Sequence, residues 1–67
     1  MIPKYPDVVV QLTGEDGNAF SIMGTVSREL QKQAKVDQSV VDDYMEESIA
    51  GDYYSLLKTA MKWVTVL

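Results

Sequence analysis

The chain has 67 residues, ten acidic against six basic for a net charge of −4, with neither cysteine nor histidine. A domain of this length buries only about 60% of the surface its unfolded chain exposes, and without thiols or imidazoles neither a disulfide nor a Cys/His zinc site can staple it. The acidic balance argues against gripping nucleic-acid phosphates, and no apolar stretch approaches the ~20 residues that span a bilayer.

These exclusions leave association with another chain as the remedy for a thin core, since no carboxylates follow the alternating spacing of a calcium loop. The opening MIPKYPDVVV is too short in its apolar run for a signal peptide. A cytoplasmic homo-oligomer without a cofactor is therefore expected.

Residues 1–6 hold two prolines and read as an extended lead-in. DVVVQLT (7–13) reads as a strand, because consecutive valines are poor helix and good strand residues. Val8, Val10 and Leu12 share one face. GEDG (14–17) breaks it, and Asn18 is positioned as the N-cap of a helix from Ala19 to about Ala34. Ala19, Ile22, Met23, Val26 and Leu30 make its inner stripe, with Arg28, Glu29, Gln31, Lys32 and Gln33 outside. Gly24 costs this helix about 1 kcal/mol against alanine and is expected to permit a close backbone contact beside Phe20.

Asp37 caps a second helix (39–50) with a stripe of Val40, Val41, Tyr44, Met45 and Ile49, and Gly51 suits the left-handed position after it. Asp52 caps a third helix whose inner face is Tyr53, Leu56, Leu57, Ala60 and Met61. In the tail KWVTVL, Val64 and Val66 alternate with Trp63, Thr65 and Leu67, a closing strand for the strand at 8–12. The architecture is α+β: strand, three helices, strand, a two-stranded sheet on a helical layer with edges open to another copy.

LTGEDGNAFSIMGTV and GDYYSLLKTAMKWVTV together resemble a group of short uncharacterised proteins encoded by bacteriophages, prophages and bacterial genomes. The pattern of that group is a strand, then G-E-D-G-N-A-F, a helix ending in an Ala-Gly corner, and finally G-D-Y…L-L…W-V-x-V. The likeness spans roughly residues 8–66. This chain departs from it in the glycine-free corner QAKV and in Tyr54-Ser55, where the pattern has an Asp-His pair. The resemblance implies a mobile-element origin and action on a host defence system; it supplies no catalytic residue.

The glycines of TGEDGNAFSIMG lack the lysine and Ser/Thr of a phosphate loop, and Glu15 and Asp16 repel an anion there. The stretch reads as a capped strand-to-helix turn, with a residual ligand role for the amides near Gly17 and Asn18. The serines have no histidine to activate them. More telling are Asp42, Asp43, Glu46 and Glu47, at i, i+1, i+4 and i+5 on one helix face with no base nearby in sequence: either a solvated face or a docking strip for a basic partner. Tyr53 is expected in the core, whereas Tyr54 and Trp63 are placed for a subunit interface or for stacking on a flat ligand.

The functional expectation is a non-enzymatic acidic binding protein of phage type that inhibits a host defence component through a protein partner. A first alternative is an oligomeric sponge for a nucleotide second messenger, using Gly17, Asn18, Tyr54 and Trp63, with Arg28, Lys58 or Lys62 offsetting the phosphates. A second is a phage structural or accessory protein without inhibitory role.

Overall fold

The computed structural model describes residues 2–12 and 17–67. Thr13 and most of the GEDG turn, including Glu15 and Asp16, lie outside the described residues. The elements are β1 (Tyr5–Val10), α1 (Ala19–Ala34), α2 (Gln38–Ile49), α3 (Tyr53–Trp63) and β2 (Val64–Val66). This is the expected α+β arrangement, a two-stranded sheet packed on helices.

Each helix starts on its capping side chain. Asn18 accepts from the Phe20 N–H at 2.8 Å, Asp37 from Val40 at 3.3 Å and Asp52 from Ser55 at 2.9 Å. All three caps are extended, the conformation that lets a side-chain oxygen reach an otherwise orphaned amide. α1 buries Ile22, Met23, Val26 and Leu30 as its spacing predicts.

The two glycine expectations need correction. A Cβ on Gly24 would meet nothing within 4 Å, and Phe20 beside it is exposed, so no close approach requires this glycine. Gly51 is not left-handed; its role is spatial, because a Cβ there would lie 2.7 Å from both Cβ and Oγ of Ser55. The left-handed residue is Lys35, which closes α1 at φ 54° without a glycine.

The inner faces of α2 and α3 also shift. α2 buries Val41, Tyr44 and Ser48, with Ile49 exposed. α3 buries Leu56, Thr59, Ala60 and Trp63, an i, i+3, i+4, i+7 set, which turns Tyr53 and Met61 outward. Trp63 is therefore the last residue of the helix, not the first of the strand. It is 3% exposed, stacked on Tyr5 (centroids 6.1 Å apart) and edge-on to Tyr44 (5.6 Å), with Lys4 Nζ 4.2 Å from its ring centroid. An interface or ligand-stacking role for Trp63 is incompatible with that burial.

β1 begins within the expected lead-in and pairs with β2 in parallel: Tyr5 with Val64, Val9 with Thr65, Val10 with Val66. The three helices form the crossover that parallel pairing demands. Pro6 is tolerated because the register is irregular between Tyr5 and Val9. The Pro6 carbonyl instead accepts from Thr65 Oγ1 at 2.7 Å. Val8 and Val10 face the core with Val64, beneath Val26 and Leu30. The outer edge of β1 is not open as expected: at Val9 it is covered by Gln33, whose Oε1 accepts from Val9 N–H at 3.1 Å while its Nε2 donates to Val9 O at 2.9 Å.

Candidate functional site

The four carboxylates of α2 do not act as one strip. Glu47 is folded back, one oxygen accepting from Lys62 Nζ at 2.9 Å and the other from Trp63 Nε1 at 3.2 Å. The Lys62 hydrogen bond, then that of Trp63, holds its carboxyl below the usual carboxylate range against a smaller opposing effect of burial. The base missing in sequence thus arrives from α3, and Glu47 belongs to the framework. Asp42 accepts from Gln38 Nε2 at 3.0 Å, one helical turn earlier. Asp43 and Glu46 remain exposed, and with Glu47 and Ala50 they line a shallow concavity of about 320 Å³.

On the other side of the last turn of α2 lies an apolar groove of about 240 Å³. It forms where the start of α1 meets the α2–α3 corner, and Phe20, Met23, Ile49, Tyr53 and Leu56 are among its walls. Phe20 and Ile49 are 79% and 65% exposed, so large apolar side chains stand at its rim. The two helix starts are tied together by Tyr53, whose hydroxyl donates to Gly17 O at 2.6 Å. Asp52 lines the groove as well; the Ser55 backbone and side chain keep its carboxyl below the ordinary value, so it is an anion at neutral pH. Buried Ser48 also lines it, with its hydroxyl beside the buried hydroxyl of Tyr44, and neither group has a further protein partner among the described residues. Burial pushes the Tyr44 phenol up, with Ser48 partly opposing.

Electrostatically this corner is negative. The last turn of α2 contains no basic residue of its own, and Lys62, which reaches it from α3, is engaged by Glu47, so Glu46 and Asp52 add to the negative carbonyl end of the helix. The corner offers carboxylates and apolar area to a ligand, which is the chemistry of docking a cationic, partly apolar group. Ile49 and Ala50 form the ridge between its acidic and apolar halves.

The residues considered for a nucleotide are dispersed within one chain. Asn18 caps α1 and Gly17 holds Tyr53, but Arg28 lies ten residues from Asn18, about 15 Å along a helix. Lys62 is engaged by Glu47, Trp63 is buried, and Tyr54 stays open at 73% exposed. Phe20 lies off the inner stripe of α1, as its spacing predicts, whereas hydrophobicity alone places Ile49 on the inner stripe of α2 and so hides it as a surface residue. The signal against Ile49 was the alternative stripe Val41, Tyr44, Ser48, disguised by the polarity of serine.

Among the described residues no cluster of side chains could hold a metal ion, and no helix is long and apolar enough to cross a membrane. No family model, curated protein or solved structure matches the chain.

Proposed function

We propose that this chain is a non-enzymatic binding protein that docks a basic, partly apolar surface of a protein partner on the corner formed by the end of α2 and the starts of α1 and α3. The observation that carries this reading is the juxtaposition of exposed Phe20 and Ile49 with Asp43 and Glu46 across one helical ridge. Isolated exposed apolar residues are ordinary on a protein surface, whereas a rimmed apolar groove beside like-signed charge favours a partner of opposite charge. Apolar contact supplies the affinity; the carboxylates steer approach and fix orientation.

In the mobile-element setting implied by the resemblance, the partner is a component of host defence, and docking inhibits it by occupying its basic surface. The test is expression in a bacterium carrying a phage-defence system. The wild-type chain should restore phage growth, while Asp43→Lys with Glu46→Lys, and separately Ile49→Ser, should abolish the effect with the fold intact by circular dichroism. Restoration that survives both variants would remove this corner from the mechanism. If the wild-type chain itself gives no protection to the phage, the inhibitory reading is lost and the accessory-protein reading takes its place. The nucleotide-sponge reading retains Tyr54 but has lost Trp63, so the protein partner is preferred.

A further inference from the structure

We propose that the outer edge of β1 is a strand-pairing site for a second copy of this chain, and that the Gln33 carboxamide is the gate that holds it shut in the monomer. Alternate residues of an edge strand present their N–H and C=O to the outside, as Val9 does while the Val10 carbonyl faces β2, and an unpaired edge is a template for another strand. At Val9 both groups are taken by a single side chain. Gln33 Oε1 accepts from the N–H at 3.1 Å and Nε2 donates to the C=O at 2.9 Å. A primary amide carries the same donor and acceptor as a peptide unit, so Gln33 stands where the backbone of a third strand would stand.

The amide is held there by a third bond. Its Nε2 also donates to Glu29 Oε1, one helical turn back, at 2.7 Å. Because a carboxylate only accepts, Glu29 fixes which end of the carboxamide faces it and hence which faces the Val9 carbonyl. The gate can nonetheless open, because Gln33 and Glu29 lie on the outer side of α1, Gln33 is exposed, and its release needs only rotation into water. Beside it lies a concavity of about 290 Å³, whose lining includes Lys4, Tyr5, Asp7 and Gln33.

A second copy is the occupant that the charges favour. Residues 2–12 carry one lysine and one aspartate, so pairing β1 with another β1 brings together two neutral edges. The rest of the molecule carries the net charge of −4, which opposes contact between copies elsewhere. Antiparallel self-pairing is isologous, so every contact is made twice.

The experiment compares the wild-type chain with Gln33→Ala, which removes both bonds to Val9, and with Gln33→Met, which keeps the length and neutrality of the side chain but makes neither bond. Oligomeric state is read by sedimentation, and Val9 amide exchange by NMR over a concentration series. The wild type should be monomeric at micromolar concentration, with a Val9 amide protected independently of concentration. Both variants should dimerise about tenfold more tightly than the wild type, with Val9 protection that rises with concentration. The Gln33→Met variant covers the case in which the alanine variant fails to fold. Variants that stay as monomeric as the wild type, or that dimerise while the Val9 amide remains open to exchange, would overturn the proposal.

Discussion

Glu47 stands within the acidic stretch of α2, yet its two oxygens are shared between Lys62 Nζ and Trp63 Nε1 at the end of α3. The pair with Lys62 is partly exposed, 55% for the lysine side chain and 34% for the glutamate, so solvent screens it and its contribution is about 0.5–1 kcal/mol. Its pH dependence follows from the direction of the shift. The folded carboxyl lies below its ordinary value of 4.5. A carboxyl depressed by folding adds stability that is fully present above its unfolded pKa and is lost as pH falls through its folded pKa. Glu47→Gln should therefore be less stable than the wild type at neutral pH, by the amount above, and the two should converge in acid once Glu47 is protonated. Urea melts at both pH values measure this. A gap that persists unchanged in acid would mean that the amide disturbs packing around Trp63 and that charge is not the cause.

Within α1 a glycine sits where none is needed and a lysine where a glycine would fit. Gly24 is in mid-helix, with open space where a Cβ would go, whereas Lys35 adopts φ 54° at the C-cap. Gly24→Ala should raise stability by up to about 1 kcal/mol through helix propensity and a less disordered unfolded chain. Lys35→Gly should stabilise by about 0.5–1 kcal/mol, because it relieves the left-handed backbone. Each change is read as a shift of the urea midpoint at constant slope; a loss of stability in Gly24→Ala would show that the open space is needed. The three caps were legible because Asn18, Asp37 and Asp52 act on amides two or three residues away. The faces of α2 and α3 were legible only in part: Val41, Tyr44, Leu56 and Ala60 are buried as their spacing predicts, but Ser48, Thr59 and Trp63 join them through packing rather than through hydrophobicity residue by residue. The candidate site was half legible: the acidity of α2 and the position of Phe20 off the inner stripe of α1 are in the sequence, but the removal of Glu47 by Lys62 and the outward turn of Ile49 depend on contacts between elements.

The sheet joins opposite ends of the molecule. Thr65 Oγ1 donates to Pro6 O across 59 residues of sequence, and Leu67 N–H donates to Val10 O. Such pairing forms only after the intervening chain is closed, and loop-closure entropy must be met before the contact stabilises anything. The helices, by contrast, start on local caps and are joined by short corners, with α2 and α3 packed on one another. This ordering predicts that the helices form the folding nucleus and that the sheet closes late. Val64, fully buried at the start of β2, tests it against Val26, equally buried in α1. Truncating either to alanine removes about two methylenes' worth of burial and should cost about 2 kcal/mol. For Val64→Ala the cost should appear almost wholly as faster unfolding, with a φ-value of about 0–0.3, whereas Val26→Ala should slow folding with a φ-value of about 0.5 or more. Stopped-flow chevrons of the two variants give both numbers. A Val64 variant that folds as slowly as the Val26 one would place sheet closure in the transition state, and the helices would then be guided by the paired strands instead of preceding them.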